Sequence, residues 1–263
     1  MPDPVTVNPP DSLHVAHYGT GPDLVLLHGW GMHSGVWETT VEALMDDWRI
    51  TVIDLPGHGA SRGRLGTLPE LAARIAAHAP RHAVWCGWSL GGMVAQRIAL
   101  DRPEAVRRLL LVGSNACFVQ RPDWPHGMTR AAYEAFASGL GSNLKATLDR
   151  FLLLETHGLP KAREYLHELR AIVFRHGLPD AQALADGLQM LDSEDLRSEW
   201  PRLRCPVRLL LGRRDALVPY TAGAALAARA GDVRVHVFAH ATHAPFMSHP
   251  EEFLAALRVA LHD

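Results

Sequence analysis

The stretch Ala83-Val84-Trp85-Cys86-Gly87-Trp88-Ser89-Leu90-Gly91-Gly92-Met93 constrains the fold of this chain more than any other. An apolar run leads into Gly-x-Ser-x-Gly and a helical pattern follows, which predicts a strand, a very tight turn and a helix. Such a turn forces the serine into a strained backbone conformation. Only neighbours without a Cβ leave room for it, and Gly87 and Gly91 are such neighbours. Ser89 Oγ is then expected to stand clear of the sheet, facing the N-terminus of the next helix. The unpaired N–H groups and partial positive charge at that end favour an oxyanion. Taken alone, the pattern also fits a plain glycine-rich turn with a capping serine; the elements around it decide.

Those elements alternate. Apolar runs at residues 13–18, 23–27, 49–53, 83–88, 106–112, 206–212 and 233–238 read as strands, several of them apolar enough to be buried on both faces of a parallel sheet. Helical patterns at 36–48, 69–79, 89–100 and 251–261 fall between and after them. Strand and helix in alternation imply βαβ crossovers. The pattern breaks near Asn115 and resumes near Arg202, with helical segments at 128–140, 142–154, 160–175 and 181–191 separated by Gly and Pro. The expected organisation is therefore an α/β core over residues 1–114 and 203–263, with a mostly parallel sheet flanked by helices and an inserted α-helical lid over 115–202. In the insert, Trp124, Phe136, Phe151, Leu152, Leu153, Phe174, Leu188 and Met190 are apolar candidates for its underside, or plain core. Arg130, Lys145, Arg150, Lys161, Arg163, Arg170 and Arg175 form either a solvated face or a landing patch for an acidic partner.

Composition excludes some classes. The net charge of −2 gives no global basic field for nucleic acid. The apolar runs fall well short of the roughly 18 residues of a membrane span. The first residues, Met1-Pro2-Asp3-Pro4-Val5, lack a basic segment followed by an apolar one, so no signal peptide and a cytoplasmic location are expected. Cys86, Cys117 and Cys205 are scattered and odd in number, which suits free thiols. No grouping among the 16 histidines resembles a metal site, and no cofactor is expected.

Three further stretches complete a chemical set. His28-Gly29-Trp30-Gly31 follows a strand, and its glycines let the backbone turn amides toward a ligand. The N–H groups of Trp30 and Leu90 are the expected oxyanion donors. Asp215 stands just beyond the strand at 206–212, at the sheet edge that carries Ser89. His243 follows the last strand, with His240 as its rival. Asp54 and His58 lie in a glycine-rich loop ahead of the serine and read as structural. A serine hydroxyl attacks only if a base takes its proton. An imidazole titrates near neutrality and can do so, with a carboxylate to hold its tautomer. Ser89, Asp215 and His243 are the expected catalytic residues.

The chain resembles the α/β-hydrolases, and among them the pimeloyl-[acyl-carrier protein] methyl ester esterases of biotin synthesis. The matching stretches are His28-Gly29-Trp30-Gly31 with Val36-Trp37, Asp54-Leu55-Pro56-Gly57-His58-Gly59, Gly87-Trp88-Ser89-Leu90-Gly91-Gly92, Arg150-Phe151-Leu152, Gly187-Leu188, Asp195-Leu196-Arg197, Leu217-Val218-Pro219 and His243-Ala244-Pro245-Phe246-Met247-Ser248-His249-Pro250. The resemblance implies cleavage of the methyl ester of pimeloyl-acyl carrier protein, with no cofactor and no metal. It implies substrate contacts at Trp30, Ser89, Leu90, Phe151, Leu152, Leu153, Leu154, Glu155 and His243, and carrier-protein contacts at Arg150 and Arg163. Where this chain has Glu155 the family segment usually ends in Gln. Two family arginines fall at Ala146 and His167, with Lys145 and Lys161 close by. A monomer is expected, without nucleic-acid or membrane partners. A broader short-chain carboxylesterase, a hydrolase of C–C bonds and a non-catalytic ligand receptor on the same scaffold remain as alternatives.

Overall fold

Seven strands form one sheet, in the order β1-β3-β2-β4-β5-β6-β7. They are β1 (Val15–Tyr18), β2 (Asp23–Leu27), β3 (Arg49–Ile53), β4 (Ala83–Trp88), β5 (Val106–Val112), β6 (Val207–Gly212) and β7 (Val233–Phe238). This computed structural model describes residues 12–140, 143–156, 159 and 161–263. Met1 to Val5, Ser142 and Pro160, which bounded expected segments, lie outside the described residues. Only β1 runs antiparallel, against β3; every other pairing is parallel. The interior strands β2 and β4 to β6 are almost continuously apolar and largely buried, as a sheet covered on both faces requires.

The strand order places the site. From β2 the chain steps outward to β3, then returns across β2 to form β4. The connections leaving β2 and β4 therefore part in opposite directions. They open a crevice beyond the C-terminal ends of two neighbouring strands, where ligands bind in open α/β sheets. His28 to Gly31 and Ser89 are the residues at the lip of that crevice.

Helices α1 (Glu38–Leu44), α2 (Leu68–Ala76) and α3 (Leu90–Asp101) connect the first strands. The α2 helix starts on a reciprocal cap, Thr67 Oγ1 with the Glu70 amide and Glu70 Oε2 with the Thr67 amide. Between β5 and β6 lie α4 (Arg130–Leu140), α5 (Leu144–Thr156), α6 (Ala162–Val173) and α7 (Ala181–Ser193). Among the described residues of that span there is no strand, only the isolated bridges Val119–Met128 and Arg121–Trp124. The chain ends with α8 (Ala222–Ala227), α9 (Pro245–Ser248) and α10 (Pro250–His262).

Two expected elements differ in form. The helix expected over 36–48 is a 3-10 turn, Ser34–Trp37, followed by the shorter α1. The Ser34 amide donates to Asp54 Oδ1 and the Gly35 amide to His33 Nδ1, so side chains rather than periodicity set the entry. The first strand begins at Val15, because the His14 amide is taken by Ser61 Oγ at 2.8 Å. The short α8 and α9 had no expectation attached. Cys86, Cys117 and Cys205 are free thiols, the first two buried. Burial pushes the Cys86 thiol up to about 12.

Candidate active site

Ser89 has φ 54° and ψ −119°, and it is the only non-glycine with positive φ among the described residues. The strain is held by close backbone approach on both sides. A Cβ on Gly87 would lie 2.4 Å from Gly91 O, and one on Gly91 would lie 2.4 Å from His28 O. The α3 helix can thus begin directly against the ends of β4 and β2. The Ser89 amide donates to Val112 O, and its carbonyl accepts from Ser114 Oγ at 2.8 Å. Leu90 is the first residue of α3, so its N–H lies outside the helical ladder. Ser89 itself is 5% exposed.

The loop after β2 closes on the same point. A Cβ on Gly29 would lie 3.2 Å from both Ser89 Cβ and the Trp88 ring. This loop is held by His28, whose Nδ1–H donates to Gly29 O and whose Nε2 accepts the Leu55 amide, each at 2.8 Å. Burial, with the neighbouring His58, drives the His28 pKa down to about 3, so the ring stays neutral in that tautomer. Asp54 accepts amides from Ser34 and Ala60, and His58 Nδ1 donates to Pro56 O. Both are loop-building residues, in line with the structural role expected for them.

His243 and Asp215 meet as the sequence order implies. His243 Nδ1 donates to Asp215 Oδ2 at 2.7 Å. Asp215 Oδ1 accepts the amides of Leu217 and Val218 at 2.8 and 2.9 Å, so the loop after β6 holds the carboxylate rigidly. Trp88 Nε1 donates to His243 O at 3.0 Å, which keeps the imidazole beside the end of β4. With Nδ1 engaged, Nε2 is the ring atom that can take a proton. His240 is exposed, which removes it as a rival. Burial alone would lower the His243 pKa; the charges of Asp215 and Glu155 and the Asp215 hydrogen bond outweigh it and raise the pKa to about 9.

Helices α5 and α7 cover this edge. Trp30 Nε1 donates to Leu184 O at 2.9 Å. A Cβ on Gly187 would lie 2.8 Å from the Trp30 ring and 3.3 Å from Leu90 Cδ2, so α7 seats on the two residues expected to supply the oxyanion amides. Phe151 stands edge-on to Trp30 at 5.1 Å between ring centroids, and Phe136 packs behind it at 5.9 Å.

The expected five-residue substrate segment is split by its own helix. Phe151, Leu152 and Glu155 are buried and Leu154 is half-buried, whereas Leu153 is 50% exposed. Consecutive positions on a helix turn by about 100° each, so five residues in a row cannot all line one wall. Leu153 therefore stands apart from the rest of the expected set, on the outer side of α5. Arg150 and Arg163 are exposed on α5 and α6 and join no ion pair among the described residues. Arg130, Lys161, Arg170 and Arg175 are paired with Asp192, Glu164, Asp149 and Glu38.

Glu155 is the unusual member. It is 1% exposed, and neither carboxyl oxygen has a hydrogen-bond partner among the described residues. Its Oε1 lies 3.9 Å from His243 Nε2, which is likewise without a partner. Burial pushes its carboxyl up to about 8, against the pull of His243 and with a further push from Asp215. Thr242 Oγ1 donates to Glu155 O at 2.6 Å, tying α5 to the residue before the histidine. Thr242, Leu184 and Ser114 were not singled out from the sequence, since nothing local pairs a hydroxyl or a carbonyl with a partner 25 to 154 positions away.

The family model described as "Alpha/beta hydrolase family" matches residues 24–256. The chain belongs to the alpha/beta hydrolase family. It is 43% identical over 93% of its length to a Nitrosomonas europaea protein named "Pimeloyl-[acyl-carrier protein] methyl ester esterase", covering 97% of that relative. A Proteus mirabilis protein of the same name is 44% identical over 89% of this chain and 90% of the relative. Among solved structures, an esterase from Exiguobacterium antarcticum superposes with a TM-score of 0.86 at 21% identity, covering 95% of this chain and 96% of that one, a likeness of fold. In this alpha/beta hydrolase no helix among the described residues is long and apolar enough to cross a membrane. No group of three or more His, Cys, Asp or Glu side chains among them is arranged to hold a metal ion.

Proposed function

We propose that this alpha/beta hydrolase is a carboxylic ester hydrolase that cleaves the methyl ester of pimeloyl-acyl carrier protein, releasing methanol and the free ω-acid in biotin biosynthesis. The observation that carries the reaction type is the 2.7 Å bond between His243 Nδ1 and Asp215 Oδ2, formed beside the strained Ser89. The substrate rests on the shared name of relatives about as long as this chain.

In this reading Ser89 Oγ attacks the ester carbonyl while His243 Nε2 takes its proton. The amides of Trp30 and Leu90 hold the oxyanion. The imidazolium then protonates the departing methanol oxygen. Water attacks the acyl-serine, His243 takes the water proton, and that proton returns to Ser89 Oγ as the acid leaves. Phe151, Leu152 and Leu154 take the acyl chain beneath a lid made of α4 to α7, the helices within 115–202. Ser89 is 5% exposed, so substrate reaches it beneath those helices. Arg150 and Arg163, exposed and in no ion pair among the described residues, offer positive charge to an acidic carrier protein. The enzyme acts as a monomer in the cytoplasm, without an organic cofactor.

The test is restoration of growth in a biotin-requiring strain lacking this esterase, with Ser89→Ala as control, alongside methanol release from the purified carrier-bound methyl ester. Growth with the parent and none with the variant is expected. Rapid cleavage of p-nitrophenyl esters with no methanol from the carrier-bound ester would favour the broad-specificity esterase instead.

A further inference from the structure

A buried carboxyl with no hydrogen-bond partner is costly, and such a group facing a reaction centre is matched by whatever enters that centre. Glu155 is in this position: side chain wholly buried, both oxygens unpartnered among the described residues, Oε1 3.9 Å from His243 Nε2. The gap is too long for a direct hydrogen bond. The bond from Thr242 Oγ1 to Glu155 O fixes the helix carrying the carboxyl to the loop carrying the imidazole, so their separation is set by adjacent residues.

We propose that Glu155 is a specificity-determining carboxyl that separates the neutral ester from the carboxylate it becomes, holding the acid product when protonated and expelling it when ionised. The inference rests on the ester-hydrolase reading. In that reaction Nε2 must come within hydrogen-bond reach of Ser89 Oγ, so the reacting carbonyl forms its product roughly 4–6 Å from Glu155. A neutral ester meets no repulsion there. A product carboxylate faces a second carboxyl in a water-poor site, where two like charges cannot both persist. When Glu155 is protonated it can donate its O–H to the product and retain it; when ionised it drives the product away. Burial, which holds the Glu155 proton up to about 8, places that change in the mildly alkaline range. The other ionisable groups acting on Glu155 are His243 and Asp215. His243, when charged, attracts a carboxylate, so the comparison needs a neutral ligand of the same shape.

The experiment measures inhibition of p-nitrophenyl butyrate hydrolysis by heptanoate and by heptanamide at about pH 9, in the parent and in Glu155→Gln, where the parent's carboxyl is ionised. The ratio of heptanoate to heptanamide inhibition constants is expected to fall at least about tenfold in the variant, because one buried like charge has gone. A ratio unchanged within about twofold overturns the inference, since that is less than a single screened charge contact supplies. If Glu155→Gln is inactive, the same ratio is read from dissociation constants by calorimetry, in Ser89→Ala and Ser89→Ala/Glu155→Gln. A parent that hydrolyses no ester overturns the functional reading and this inference together. An active parent with an unmoved ratio overturns this inference alone.

Discussion

Two carboxyl groups act on His243 from two different parts of the molecule. Asp215 comes from the loop after β6 and accepts three hydrogen bonds, two from backbone amides and one from the imidazole. The carboxyl of Glu155 comes from α5, in the helical cover, and accepts none among the described residues. The sheet edge can supply amides because its loops turn sharply at strand ends and leave N–H groups unused by the ladder. A helix interior has no spare amides, so a carboxyl reaching inward from α5 arrives without partners. The same functional group is therefore held in place by hydrogen bonds at one end of the site and left as a reluctant acid at the other.

The largest effect tests the edge itself. Ser89→Ala should lower kcat by about a thousandfold to a millionfold with the fold retained, read by steady-state hydrolysis of any accepted ester and by circular dichroism. Activity within a few fold of the parent would end the assignment. Next, Asp215→Asn should cost on the order of a thousandfold to ten-thousandfold in kcat, because an amide cannot hold the same tautomer and stabilise the imidazolium. If Glu155→Gln cost as much as Asp215→Asn, the contrast between the two carboxyls would be lost.

A smaller effect sharpens the contrast. Folded Glu155 keeps its proton up to about 8, whereas in the unfolded chain it releases it near the usual 4.5. Between those values the folded state binds more protons, so this group's contribution to stability falls as pH rises toward about 8. Glu155→Gln does not titrate and should exceed the parent in stability by about 2–4 kcal/mol near the top of that window, the gap closing toward about pH 5. Urea titrations across the range read it directly. The variant also removes a negative charge that raises the His243 pKa, so the acid limb of kcat/KM should move to lower pH. A limb that stays in place would mean that Glu155 does not act on His243. The smallest effect is at the outer face of α5. Leu153→Ser should change stability by no more than about 0.5 kcal/mol and leave ester hydrolysis within about twofold, since its side chain is already 50% exposed.

Much of this was legible in the chain. Tight glycine neighbours around Ser89, apolar runs for buried strands, and a carboxylate and an imidazole after later strands are local patterns with local causes. They put Ser89, Asp215 and His243 just beyond the ends of sheet strands. His240 and His243, three residues apart in one loop, were separable only in part by sequence; burial and the Asp215 bond decide between them. The segment from Phe151 to Glu155 read as one contact stretch, and the helical turn of α5 sent Leu153 outward.

What the sequence alone determined, then, was the parallel α/β framework, the strained serine, and the residue types available to act with it, because each follows from propensity, steric room and order along the chain. What only the tertiary structure decided was the company each group keeps. Whether a carboxyl finds two amides or none, and whether it stands 2.7 or 3.9 Å from an imidazole nitrogen, depends on how distant elements pack. Charge in a low-dielectric site responds to those few ångströms.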